Sequence, residues 1–274
     1  MRARQAVFVL CLTWLLIPPR LAPAGERDTL AIPGTGACET VLKSVAAAYE
    51  RAHPLVHVVI PPSVHSEGGI RQVIDGKAVL ARVSRPLTPE EAGKGLAYRV
   101  FARDAVVFAA GAGVRSRSFT IRQIADLFSG RVETWEQLEA GKGPVRVLLR
   151  EEGDASLRVL QARFPEFRNL PFTKRGKILY HDIEMVEMLQ KYRNSIGFAT
   201  LSSLGAASST VTPLAIDGIA PTPGNIAAKK YPVLIEYALV YREGALPPEA
   251  RGFVDFLFSG EGRNVLADHG LTPP

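Results

Sequence analysis

The 274-residue chain is 47% hydrophobic and 22% charged, which supplies apolar material for one large or two medium cores. Its formal charge of +6 is not gathered into any Lys/Arg cluster with interleaved aromatics, so no nucleic-acid partner is expected. Five histidines show no H-E-x-x-H or comparable spacing, which leaves neither a metal site nor a cofactor to expect.

The first element is a leader. Arg2 and Arg4 precede an apolar run over residues 6–17, too short to span a bilayer, followed by Pro18, Pro19 and Ala22-Pro23-Ala24. This reads as a secretory signal peptide over residues 1–24, cleaved after Ala24. Cys11 lies inside the apolar run behind bulky Leu10, so it marks no lipoprotein. The leader carries three arginines and no acid, so its removal lowers the formal charge from +6 to +3. Cys38 is then alone, no internal disulfide is possible, and it reads as a small buried hydrophobe.

Beyond the leader, short apolar runs alternate with amphipathic segments. Strands are expected at 30–32, 57–60, 78–83, 98–102, 105–110, 145–149, 196–199, 211–216 and 234–241. Helices are expected at 40–51, 70–74, 121–128, 156–164, 183–192, 249–258 and 263–268. The alternation predicts α/β layers with mostly parallel strands. Thr88-Pro89-Glu90-Glu91 and Thr120-Ile121-Arg122-Gln123 have the form of capping boxes. Met185, Val186, Leu189 and Tyr192 recur at helical spacing and read as core.

Three strand-to-helix junctions share one grammar: Pro33 to Glu39, Ser63 to Gly69, and Arg150 to Ser156. Small residues there let backbone N–H groups approach a ligand, and the helix start adds partial positive charge. In α/β sheets such junctions lie where ligands bind. Rival motifs fail. There is no P-loop, Glu39 stands where a dinucleotide fingerprint needs Gly, and no G-x-S-x-G elbow occurs. No nucleophile–base pair follows from spacing, so an enzyme is not expected. His65 reads as a solvated loop residue.

The order of motifs resembles the phosphate-type solute-binding proteins of ABC importers. The resemblance is carried by Gly34-Thr35-Gly36, Ser66-Glu67-Gly68-Gly69, Val83-Ser84-Arg85-Pro86-Leu87 and Leu127-Phe128-Ser129-Gly130 with Trp135. It continues through Arg150 to Ser156, Ser195-Ile196-Gly197-Phe198, Ile216-Asp217-Gly218, Tyr231-Pro232 and Phe256 to Gly262. It covers nearly all of residues 28–274 in collinear order. It implies the type II periplasmic-binding fold: two α/β lobes, each a mixed, mostly parallel sheet flanked by helices, with the ligand cleft between. One lobe would comprise 25–105 plus 233–274 and the other 106–232. It also implies a periplasmic, monomeric protein that binds inorganic phosphate for an ABC permease of the inner membrane.

By the same resemblance, Ser66, Arg150 and Ser156 fall where side chains bind phosphate oxygens. Gly36, Ala37, Cys38, Gly68, Gly69 and Ala155 fall where loops make close backbone contacts, and Ser84-Arg85 falls where many relatives have Ser-Asp. Two departures stand out. Arg85 replaces an Asp that takes a proton from phosphate, and Asp154 replaces a serine donor. Three readings of Asp154 follow: a helix N-cap, a relocated proton acceptor, or a carboxylate neutralised by Arg85 or Arg150 in a retuned site. Sulfate, molybdate or tungstate remain alternative ligands, and an exported sensor or interaction module with the same fold remains an alternative role.

Overall fold

A computed structural model of the protein describes residues 28–205 and 210–274. The expected signal peptide, 1–24 with Cys11, lies outside the described residues. The chain runs β1 (Asp28–Ala31), α1 (Glu39–Ala52), β2 (Val56–Val59), α2 (His65–Ile74), β3 (Ala81–Val83), α3 (Pro89–Ala92) and β4 (Leu96–Gly111). It continues through β5 (Ser118–Phe119), α4 (Ile121–Ser129), a 3-10 turn (Trp135–Leu138), β6 (Arg146–Arg150), α5 (Ala155–Arg163), α6 (Pro165–Arg168) and β7 (Lys177–Leu179). Then follow α7 (Asp182–Lys191), β8 (Ser195–Thr200), α8 (Leu201–Gly205), β9 (Val211–Pro213), β10 (Ala215–Ile216), α9 (Pro223–Ala227), β11 (Leu234–Arg242), α10 (Pro248–Phe258) and α11 (Gly260–Asp268).

The main sheet has the order β3-β11-β4-β8-β6-β7, with β9 also paired to β4. It is mixed. The β6–β7 and β6–β8 ladders are parallel, while those joining β3, β11, β4, β8 and β9 are antiparallel. Two short parallel pairs, β1–β2 and β5–β10, lie apart from it. Along β4 the partner changes: residues up to Ala105 pair with β11, and those from Val106 pair with β8.

Where the outcome departs from the sequence reading, a physical reason is visible. The strands expected at 98–102 and 105–110 are one strand, β4, because the polar pair that seemed to divide them does not leave the sheet. Asp104 is buried, with hydrogen bonds from Ser202, Tyr237 and Ala105 N, while Arg103 faces Glu236 on β11. The segment expected as one strand at 211–216 is divided at Leu214, whose N–H turns to Phe108 O. The helix expected from 70 starts at His65, so Gly68 and Gly69 are helical rather than loop residues. His65, read as a loop histidine, opens that helix with φ 57°.

Both capping boxes form. Thr88 and Thr120 accept from the N–H three residues on, while Glu91 and Gln123 reach back to the Thr88 and Thr120 N–H. Met185, Val186 and Leu189 are buried, but Tyr192 is not core. It follows α7, half-buried under the Arg146 guanidinium at 3.8 Å. Cys38 is fully buried, and burial pushes its thiol up to about 12, which makes it an unreactive filler.

Candidate anion cleft

The first junction is built around an arginine the sequence did not single out. Arg82 on β3 is wholly buried and donates to the carbonyls of Ile32, Thr35 (2.7 Å) and Pro61 (2.7 Å), with Glu39 at 3.8 Å. This clamps the Pro33–Cys38 turn to the start of α1. Gly34 (φ 144°) and Gly69 make the next contact possible. A Cβ on Gly69 would stand 2.8 Å from Gly34 Cα and 3.0 Å from Pro33 O. Gly69 therefore lets α2 pack on the first turn, a structural need beside the backbone role expected of it. A Cβ on Gly68 would press on Val64 of its own helix.

That packing brings three hydroxyls together. Ser84 Oγ donates to Thr35 Oγ1 at 2.9 Å, Ser84 N donates to Ser66 Oγ at 3.1 Å, and the Ser66 and Ser84 hydroxyls are 3.3 Å apart. All three residues are buried. Thr35 had been read only as part of a turn. Gly36, Ala37 and Cys38 follow it into α1, with Ala37 N facing Thr35 Oγ1 at 3.4 Å.

The third junction faces this group. β6 ends on Arg150, and α5 starts at Ala155 with Asp154 as its N-cap, whose Oδ1 accepts Leu157 N at 2.9 Å. The other Asp154 oxygen takes Arg150 at 2.8 Å, and a second carboxylate, Asp182 at the start of α7, takes Arg150 Nη1. Tyr180 O accepts from Nη2 at 3.2 Å. Two donors are left over: Arg150 Nε and Ser156 Oγ are buried and have no hydrogen-bond partner among the described residues. The N–H groups of Ala155 and Ser156 lie in the first helical turn, where no intrahelical acceptor exists.

Three observations tie the junctions together. One cavity of about 540 Å³ is lined by Ser66, Ser84, Arg85 and Ala155. Glu67 on α2 meets Arg158 on α5 at 2.9 Å, and His65 meets Glu151 at 3.6 Å. Of the expected residues, Ser66, Ser84, Arg85 and Ala155 line this cavity, whereas Arg150, Asp154 and Ser156 form a buried layer at the start of α5 outside its lining. Arg150 lines a separate cavity of about 490 Å³ with Leu149, Gly153 and Leu157. Arg85 does not neutralise Asp154. Its guanidinium is held by both oxygens of Glu91 at 2.7 and 2.8 Å, which holds the Glu91 carboxyl down at about 2.

The electrostatics are unusual for an anion site. Arg150 carries one positive charge against the carboxylates of Asp154 and Asp182. Burial opposes its charge, but Asp182 and Asp154 outweigh that and raise its pKa. Burial pushes the Asp182 carboxyl up against the pull of Arg150. Asp182 also accepts from Ser203 Oγ at 3.2 Å and lies 3.5 Å from Thr200 Oγ1. Thr200 leads to Ser202 at 3.3 Å, Ser202 to Asp104 at 2.5 Å, and Asp104 to Tyr237, whose hydroxyl also bonds Ala37 O at 3.1 Å. A polar chain thus runs beneath the cleft from the first junction to the third. Burial raises Asp104 to about 6. None of Asp182, Asp104, Tyr237 or Thr200 was identified from sequence.

Comparison with known proteins shows the family and the fold. A family model described as a PBP superfamily domain matches residues 22–261. A phosphate-binding protein PstS of Borreliella burgdorferi is 22% identical over 275 residues, covering 96% of this chain and 97% of the relative. A Clostridium perfringens structure, described as a phosphate ABC transporter substrate-binding protein with bound phosphate, superposes with TM-score 0.80 at 26% identity over 90% of this chain and 100% of its own. An ABC-type phosphate transport receptor of Vibrio cholerae gives TM-score 0.70 at 19% identity, over 89% and 100% respectively.

Proposed function

The chain belongs to the PBP superfamily, and from that premise we propose that it captures inorganic phosphate and delivers it to an ABC permease. The observation that supports this reading is the pair of buried donors with no partner among the described residues, Arg150 Nε and Ser156 Oγ, on the same β6–α5 junction whose Ala155 lines a cavity with Ser66 and Ser84. Hydrogen bonds to charged groups contribute roughly 1.5–3 kcal/mol each. Roughly four to six of them sum to about 6–18 kcal/mol, whose upper part covers the ~8 kcal/mol of micromolar binding together with ordering costs. The relatives' names, which speak of phosphate, support the ligand class.

The two carboxylates on Arg150 argue for a proton-bearing anion. Phosphate keeps an O–H at neutral pH that a carboxylate accepts, whereas sulfate offers none. In this reading nothing is chemically transformed, and the protein works as an exported monomer in the periplasm. The lobes are 25–105 with 233–274, and 106–232. The change of partner along β4 between Ala105 and Val106 supports that boundary. Thermal shift of the purified protein against phosphate, sulfate, molybdate and tungstate tests the ligand. Phosphate should raise the melting temperature most. If no oxyanion does, the sensor or interaction role replaces transport.

A further inference from the structure

The cavity beside the phosphoryl donors is much larger than orthophosphate. Five heavy atoms fill on the order of two to three water volumes, roughly 60–90 Å³, whereas the cavity measures about 540 Å³, within the roughly 300–1,000 Å³ typical of organic ligands. Its shape follows α5. Ala155, Arg158, Val159 and Ala162 all line it, a stripe at i, i+3, i+4 and i+7 that runs about 10 Å from the helix start. The facing wall is Leu234 and Ile235 of β11, with Pro86 near the donor end.

The two ends differ in chemistry. The near end holds Ser66 and Ser84. The far end holds Arg103, paired with Glu236 at 2.8 Å, and exposed Lys229, which has no ion pair among the described residues. The Tyr98 hydroxyl, buried without a hydrogen-bond partner among the described residues, feels the charges of Glu236 and Arg85, both cavity-lining residues. The middle is apolar. Arg158, which lines the cavity, also bridges α5 to Glu67 on α2.

We propose that the cleft accepts small phosphate monoesters and phosphonates, with the phosphoryl group at Ser66, Ser84 and the start of α5 and the organic tail along Val159, Ala162, Leu234 and Ile235. A polar or anionic tail end meets Lys229 and Arg103. This rests on the reading of the near end as a phosphoryl site. Orthophosphate fills that end alone, and a tail displaces water from the apolar middle.

The test is calorimetry of the purified protein at about pH 5.5, where a phosphate monoester with its second pKa near 6 also keeps a proton, with orthophosphate, n-propyl phosphate and phosphonoacetate, and with propanol as a control. Burying a two- to three-carbon tail should lower Kd on the order of tenfold relative to orthophosphate. Ala162→Trp, at an exposed helix position facing the cavity, should remove that advantage while orthophosphate affinity stays within about twofold. Lys229→Gln, equally exposed, should weaken phosphonoacetate more than n-propyl phosphate. Orthophosphate binding as tightly as, or tighter than, both organic compounds overturns the inference and leaves the phosphate reading standing. An Ala162→Trp variant that binds the esters unchanged also overturns it. If no phosphoryl compound binds, both readings fall.

Discussion

Replacing Ser156 with alanine should move stability and affinity in opposite directions. Ser156 is 1% exposed and its hydroxyl has no partner, although it sits in the first turn of α5 directly after the capping Asp154. A buried hydroxyl without a hydrogen bond costs roughly 1–3 kcal/mol. Its removal should therefore leave the ligand-free protein as stable as before or stabler by up to about 1 kcal/mol. For a chain of this size that is a rise of about 0–4 °C. The same hydroxyl, bonded to an anionic oxygen in the complex, contributes roughly 1.5–3 kcal/mol, and its loss converts to roughly 10–150-fold in Kd. Calorimetry with and without phosphate reads both quantities on one sample. A variant that melts lower without ligand yet binds phosphate as tightly would refute the reasoning, because Ser156 would then be bonded within the protein and face away from the ligand.

Four other perturbations separate the roles of neighbouring groups. Asp154→Ser keeps an N-cap, since Ser and Asp cap comparably, but removes a carboxylate from Arg150. An oxyanion on the free edge of that guanidinium lies roughly 5–6 Å away, where a unit charge at an effective dielectric near 20 is worth about 3 kcal/mol. Sulfate affinity should therefore rise at least about tenfold, and unchanged sulfate binding in a competition titration would count against the charge argument. Asp104 is held at about 6 by burial, above its ordinary value, so the folded state keeps the extra proton. Its stabilising effect is complete below the ordinary carboxyl range and is lost as pH rises through about 6, a decline on the order of 1–1.5 kcal/mol between pH 5 and 8 that Asp104→Asn should flatten in urea titrations. Gly69→Ala should lower the melting temperature despite its better helix propensity. The new Cβ meets Gly34 Cα and Pro33 O, and overpacking of about 1–3 kcal/mol exceeds the roughly 1 kcal/mol gained. Glu67→Gln breaks a half-exposed bridge to Arg158, so stopped-flow release of phosphate should quicken only about two- to fivefold, within the ~1 kcal/mol such pairs contribute, and the difference should shrink at high salt.

The junctions were legible because each is local. Gly34-Thr35-Gly36, Ser63 to Gly69 and Arg150 to Ser156 write their turn and cap chemistry within seven residues, and the capping boxes at Thr88 and Thr120 need only four. The helix expected from 70 nevertheless starts at His65, inside the expected loop. Two adjacent glycines look like a loop by propensity, and only the backbone of Gly34 lying against Gly69 explains why glycine is needed inside a helix. Asp104 misled in the opposite way. A charged pair inside an apolar run reads as a break between strands, and the buried, bonded state of Asp104 depends on Ser202 and Tyr237, about a hundred and more residues away.

That distance dependence bears on how the site works. Arg150 would be an uncomplicated anion receptor if only its own loop mattered, and the loop adds just one counter-charge, Asp154. The second, Asp182, arrives from α7 and is itself fixed by Ser203 and, through Thr200, by the chain that ends on Tyr237 and Ala37 O. The guanidinium is therefore held rigid from behind by two acidic side chains, with its Nε edge left for a ligand. A rigid donor flanked by two acidic groups disfavours a fully ionised oxyanion relative to one that carries a proton. Asp182, which bonds Arg150 from α7, then contributes to selectivity beside Asp154, and Asp182→Asn should loosen it even though the cleft-lining donors are unchanged.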